Sequence, residues 1–216
     1  MIIALFQYIA AGLSWGLLKT FSRLEVIGRE NLREASRPLI VVSNHESHID
    51  PQLVGVALLS RPSLFPLRFM AKNKIFYIPG LNLLIWMLGA FMAHRRKGIE
   101  RSLRTPLHIL KHNGSVMMFP EGKVIPERAK LGEGKRGAAM LALMTGSAIL
   151  PLSINAPHDL PPFIPFALGR PRIIIRIGEP FYLNNIDYPD LSDGNTKKAT
   201  KAIMEKIAEL YFQHQY

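Results

Sequence analysis

The chain has 216 residues, no cysteine, 27 Lys and Arg against 16 Asp and Glu, and a formal net charge of +11 at pH 7. That length suits one domain with a sizeable core. The absence of cysteine excludes disulfides, thiolate metal sites and cysteine nucleophiles, and it fits a reducing compartment. With 48% hydrophobic residues the chain is both basic and apolar, a pairing that points to an anionic membrane surface or phosphate-bearing substrates. Nucleic acid is not expected, since no helix-turn-helix, zinc-finger or ribonucleoprotein motif is present.

Met1 to Leu18 contains no charged side chain. As a helix it would be about 27 Å long, just short of the roughly 30 Å hydrocarbon core of a bilayer. No basic residue precedes the apolar run, which argues against a secretory signal peptide. It reads as a spanning anchor with Lys19 and Arg23 on the cytoplasmic side. It also reads as a helix lying in one leaflet, because Gln7, Tyr8, Ser14 and Trp15 interrupt the apolarity. Packing on the domain is the third reading, and membrane attachment is favoured over it. Residues 1–23 are therefore set apart as a membrane-associating helix, with one domain over 24–216.

A short strand at 24–28 comes first. The β-branched run Leu39-Ile40-Val41-Val42 predicts a buried strand leading straight into Ser43-Asn44-His45. Asp50-Pro51 opens the next helix, with Asp suited to the N-cap and Pro to the first helical position. A strand at 68–72 exits at Lys72-Asn73-Lys74. Ile75 to Ala93 is a second uncharged run, which Pro79-Gly80 and Gly89 divide into a turn, a helix at 81–88 and a strand at 90–94. Ile99 to Lys111 is a helix bearing Arg101, Arg104, His108 and Lys111, closed by Asn113-Gly114. A strand at 115–119 leads to Pro120-Glu121-Gly122-Lys123 and a charged loop. There follow a helix at 137–145, a strand at 148–154 whose Pro151 suggests an edge or a bulge, and a Pro- and Phe-rich loop. A strand at 172–178 and an amphipathic helix at 195–211 close the chain. This alternation gives an α/β class, with a mixed, largely parallel sheet flanked by helices.

His45 at a strand's carboxyl end and Asp50 five residues later can face each other across a tight turn. That is the geometry of a general base and its orienting carboxylate. Open α/β sheets place their sites at such strand ends, and no Gly-x-Ser-x-Gly elbow supplies a rival nucleophile. The strand ends at 44–45, 94–96 and 120–123 fall on one rim. Cations there suit a phosphate-bearing hydroxyl compound, Arg as a bidentate fork and Lys as a point charge. Gly132-Glu133-Gly134-Lys135-Arg136-Gly137 matches Gly-x-Gly-x-x-Gly, but a charged loop precedes it, so it is no dinucleotide fingerprint. It does open a helix, and Lys135 there would attract an anion. No metal site is expected: His45-Glu46-Ser47-His48 is one residue short of the zincin motif, and His108 and His112 have no carboxylate beside them.

At these residues the sequence resembles the glycerolipid acyltransferase family, which includes 1-acylglycerol-3-phosphate acyltransferases. Asn-His-x4-Asp stands as Asn44 to Asp50, and a Gly followed six residues later by Arg stands as Gly89 to Arg95. Phe-Pro-Glu-Gly stands as Phe119 to Gly122, and an apolar strand around Pro as Ile149-Leu150-Pro151-Leu152. The resemblance runs from about residue 24 to 180. It implies an O-acyltransferase in which His45, held by Asp50, deprotonates the hydroxyl of a lysophospholipid. That hydroxyl attacks an acyl thioester of coenzyme A or acyl carrier protein, with no covalent acyl-enzyme and no cofactor. Arg95, Glu121 and Gly122 would hold the acceptor's phosphate and glycerol end. Asn44, Lys72, Lys123 and Lys135 complete the candidate substrate-binding set. The lipid substrates imply a membrane-associated protein on the cytoplasmic face, the bacterial inner membrane or its equivalent. Position 123 is Lys where the family more often has Thr or Ser, and position 94 is His where Asp is common. An acceptor without phosphate, such as a lyso-ornithine lipid or a glycolipid, therefore stays open. So do a non-catalytic basic membrane-binding protein and thioester hydrolysis.

Overall fold

The computed structural model describes residues 1–92, 98–125, 130–156, 171–183 and 190–213. The described strands are β1 (Arg23–Ile27), β2 (Leu39–Ser43), β3 (Leu67–Ala71), β4 (Ala90–Met92), β5 (Ser115–Met118), β6 (Ala148–Asn155) and β7 (Arg172–Ile177). They form one sheet in the order β1-β7-β6-β2-β5-β3-β4. Five of them, from β6 to β4, run parallel, while β7 pairs antiparallel with β6 and carries β1 parallel beside it. The sheet is thus mixed and largely parallel, as its α/β alternation predicts.

Strand β2 lies at the centre because it can be apolar on both faces. All five of its residues are buried, as expected of a strand covered by helices on either side. Burial of each of Ile40, Val41 and Val42 contributes about 1.5–3 kcal/mol. Helices α1 (Ile2–Phe21) and α2 (Asp50–Ala57) cover one face, where Leu53, Val54 and Val56 of α2 meet Leu39, Val41, Leu150 and Ile173. Helices α4 (Ile99–Lys111), α5 (Gly137–Thr145) and α6 (Asp193–Phe212) cover the other, packing Leu103, Leu110, Leu141, Ile203 and Ile207 onto Ile40, Val42, Val116 and Ile149. The short α3 (Leu81–Met87) precedes edge strand β4 and buries none of its own residues.

Pro151 does not mark an edge. It sits inside β6, opposite Val42 of β2 and with β7 on the other side. The β6–β7 ladder begins only at the Leu152–Ile177 pair, and the Pro151 carbonyl accepts from Gly178 N at 2.8 Å. The carbonyl and the ring nitrogen share that side of the strand, so the missing N–H falls just beyond the end of β7. The β2 ladder loses nothing.

Helix α1 is docked on the domain by a polar contact in its second turn. Gln7 Nε2 donates to the carbonyls of Leu67 and Leu88, each at 2.6 Å, and Gln7 Oε1 accepts from Leu67 N at 2.9 Å. Gln52 of α2 donates to Ser14 from the same side. The close approach at Gln7 depends on Gly89, at φ +92°, where a Cβ would come within 2.5 Å of Gln7 Nε2 and of the Leu67 carbonyl. The outward face of α1 carries Ile2, Leu5, Ile9, Leu13 and Leu17, all exposed. α1 is the described helix long and apolar enough to cross a membrane.

Candidate active site

The turn after β2 brings the two residues of the Asn-His-x4-Asp motif face to face. His45 Nδ1 lies 2.8 Å from Asp50 Oδ2. The Asp50 side chain is fully buried, and the same oxygen accepts from the backbone N–H groups of Glu46 at 2.7 Å and Ser47 at 2.8 Å. Its other oxygen accepts from the Ser47 hydroxyl. Asp50 is therefore not the N-cap that its place before Pro51 suggests. Ile49 occupies that position, and Asp50 is the first residue of α2. Its carboxylate turns back to cap the loop that carries His45, which fixes the imidazole's tautomer and the loop together. Phe119 stacks on the imidazole, with ring centroids 4.1 Å apart and planes within 13°.

Behind the base, Glu121 ties two loops together. One oxygen accepts from His45 N and the other from Gly132 N, both at 2.8 Å. Burial pushes the Glu121 carboxyl above the usual carboxylate range, and the two N–H donors oppose that shift. Asn44 is likewise turned inward. Its amide exchanges two 2.8 Å hydrogen bonds with the backbone of Ile154 at the end of β6. The structure thus gives Asn44 and Glu121 backbone partners that order the rim, rather than a place in the cavity lining.

In front of the base opens a cavity of about 1620 Å³, larger than a typical small-molecule pocket. Its polar lining includes His45, His48, Gly122, Lys72, Lys123 and Lys135. Its apolar walls come from Leu17, Leu18 and Phe21 of α1, Phe69 of β3 and Leu103 of α4. Gly122, at φ +68°, lets the Lys135 side chain lie against the turn, since a Cβ there would come within 3.0 Å of Lys135 Nζ. Three of the cations picked out by sequence, scattered over 63 positions, therefore share one rim with the base. Arg95, a further candidate, and the loop at 157–170 lie outside the described residues. Among the described residues no cluster of three or more His, Asp or Glu side chains is arranged to hold a metal ion.

Two contacts escape a reading of the sequence. Glu46, next to the base, points away from the cavity. It accepts from Ala156 N at 3.2 Å and from the hydroxyl of Tyr211, which is buried in the last turn of α6. The pair is 165 residues apart, and no local signal links them. Ser47 looks like any loop serine until its hydroxyl is seen on Asp50.

The chain is thus an α/β protein with a histidine at a strand end, a buried carboxylate paired with it, and a large, mostly apolar cavity beside them. The chain belongs to the acyltransferase family, whose model matches residues 23–155. It is 32% identical over 145 residues to a chloroplastic 1-acyl-sn-glycerol-3-phosphate acyltransferase of Arabidopsis thaliana. It is 28% identical over 188 residues to the 1-acyl-sn-glycerol-3-phosphate acyltransferase of Bacillus subtilis, covering 87% of each chain. The Arabidopsis match covers 66% of this chain, and the chain spans 38% of the length of that relative and 44% of one from Chlamydomonas reinhardtii. The crystal structure of the 1-acyl-sn-glycerophosphate acyltransferase of Thermotoga maritima superposes with a TM-score of 0.69 at 24% identity. That match covers 97% of this chain and 79% of that one, and it shows the shared fold.

Proposed function

We propose that this protein is a membrane-bound O-acyltransferase that esterifies 1-acylglycerol-3-phosphate to phosphatidic acid. The observation that carries this reading is the His45–Asp50 pair, with His45 on the wall of a large, mostly apolar cavity. Asp50 takes Nδ1 and leaves Nε2 for substrate. Nε2 removes the proton of the acceptor hydroxyl as its oxygen attacks the thioester carbon. The tetrahedral intermediate collapses, the C–S bond breaks, and the imidazolium returns the proton to the departing thiolate. The products are the diacylated lipid and a free thiol. A placed base of this kind contributes about 10²–10⁴-fold, and alignment of the two substrates in one cavity adds to it.

Lys72, Lys123 and Lys135 supply the charge for the acceptor's phosphate, and Arg95 is assigned to the same task from its motif. The named activity of the relatives, lysophosphatidic acid acylation, supports the same acceptor. The outer faces of α1 and α3, with Leu5, Leu13, Leu83 and Trp86 exposed, supply an apolar surface for a bilayer. Gln7, held on β3, favours a helix lying in one leaflet of the cytoplasmic face over one leaving the domain to span.

The deciding experiment is acyl transfer by the purified full-length chain in detergent, with a radiolabelled acyl thioester and a panel of lysolipid acceptors. The expected result is turnover of 1-acylglycerol-3-phosphate above all other acceptors, abolished in His45→Ala. Preference for a lyso-ornithine lipid or a glycolipid would overturn the acceptor assignment. A His45→Ala variant retaining a tenth of wild-type turnover would overturn the base.

A further inference from the structure

Helix α4 carries a feature that this chemistry leaves unused. Arg101, Arg104, His108 and Lys111 are all exposed, and at 100° per residue they fall within one arc of the helix, opposite Leu103, Pro106 and Leu110 in the core. Ten residues separate Arg101 from Lys111, so the stripe is about 15 Å long. A solvated charged face is the simpler explanation, and α6 shows what such a face looks like in this protein. Its Lys197, Lys201 and Lys206 are each paired with a carboxylate on the same helix. No described carboxylate forms an ion pair with Arg101, Arg104 or Lys111. Glu100 stands four residues before Arg104 at the border of this face, but the face as a whole is cationic. Like charges along one helix face repel each other, and an acidic partner relieves that repulsion.

Position narrows the partner. The first turn of α4 lines the cavity through Ile99 and Ser102, so the stripe begins beside the mouth of the site. It lies on the sheet face opposite α1, whose outer surface is apolar. A bilayer against α1 leaves α4 turned toward the aqueous side. A nucleotide-sized ligand at the mouth would meet the first turn, not a row of cations about 15 Å long. We infer that the α4 stripe docks an acidic acyl carrier protein, which delivers its thioester-bound chain past Ile99 and Ser102 into the cavity. This names the donor for the proposed acyl transfer and rests on that reading.

The test compares two donors bearing the same acyl chain, acyl carrier protein and coenzyme A, with full-length wild type and an Arg101→Glu/Arg104→Glu/Lys111→Glu variant in detergent micelles. The expected result is a KM for the carrier-protein donor raised at least tenfold in the variant, with the coenzyme A donor's kcat and KM within twofold of wild type. The coenzyme A arm also reports that the variant is folded. Wild-type KM for the carrier protein should rise with added salt, and the variant should lose that dependence. An unchanged carrier-protein KM overturns the inference, as does an equal rise for both donors or a wild type that uses coenzyme A alone. A variant with unchanged kinetics that has lost binding to anionic vesicles overturns it in favour of the membrane. Wild type inactive with both donors would instead remove the acyltransferase reading itself.

Discussion

At the scale of single residues, Asp50 has more hydrogen bonds to lose than His45. One carboxylate oxygen serves the imidazole and two backbone donors, and the other serves Ser47. Replacement by Asn puts an NH2 group against donors on one side or the other. Asp50→Asn should therefore cost about 1–3 kcal/mol of stability as well as activity, the usual loss when a buried donor goes unsatisfied. His45→Ala should lower kcat by about 10²–10⁴ with a nearly unchanged melting temperature, because the ring is a rim group beside Phe119 and not core. Thermal melts run alongside turnover assays separate the two. Glu121 is the second such residue. Its oxygens each accept a backbone N–H, from loops 87 positions apart at His45 and Gly132. Glu121→Gln places one amide NH2 against a donor, so a drop of about 1–3 kcal/mol is expected in chemical denaturation. A drop in kcat should accompany it, with the acceptor KM less affected.

At the level of elements, the helices around the site are fastened by a few polar contacts set in apolar surroundings. In α6 the buried stripe Thr196, Ala199, Ile203, Ile207 ends at Tyr211, whose hydroxyl reaches Glu46 beside the base. A typical hydrogen bond contributes about 0.5–1.5 kcal/mol. Tyr211→Phe should lower kcat severalfold with both substrate KM values held, because Glu46 does not line the cavity. Glu46→Gln keeps both contacts when its amide oxygen takes the Ala156 N–H and its NH2 donates to the Tyr211 hydroxyl, and it should stay closer to wild type. A Tyr211→Phe enzyme with full turnover would show that α6 only packs. In α1, Gln7→Leu leaves the Leu67 N–H and two carbonyls without their partner. Limited proteolysis in detergent should then cleave the junction between α1 and β1 faster than in wild type.

For the molecule as a whole, the two sheet faces have different surroundings to meet. The side bearing α1 presents an apolar surface, with Leu5 at 61% and Leu13 at 67% exposure. Burying such a side chain contributes about 1.5–3 kcal/mol. Leu5→Glu/Leu13→Glu should therefore cut partition to phospholipid vesicles at least tenfold, measured by flotation, while leaving the melting temperature in detergent within a few degrees. High salt alone should not release the wild-type chain if the proposed attachment through the apolar face of α1 holds. Release by salt would mean that the cations carry it and that α1 is only a packed helix.

Features that depend on neighbours along the chain were legible before the fold. Periodicity and β-branching marked β2 and its exit, and the five-residue step from His45 to Asp50 foretold a histidine facing a carboxylate. Asn113 at φ 57° and Gly146 at φ 62° close α4 and α5 with left-handed residues at the chain positions where turn chemistry places them. Features that depend on distant partners took shape only through packing. Pro151 sits in a central strand because β7 happens to end beside it. Asp50 forsakes its own helix for the loop behind it because two backbone donors there would otherwise be buried unpaired. Asn44 and Glu121 carry motif positions, yet their oxygens face backbone brought in from β6 and from residue 132. Tyr211 and Glu46 meet across nearly the whole chain. Local pattern records which residues favour a strand, a turn or a cap, but a buried hydrogen bond is completed by whichever chain segment packing delivers, and packing belongs to the fold.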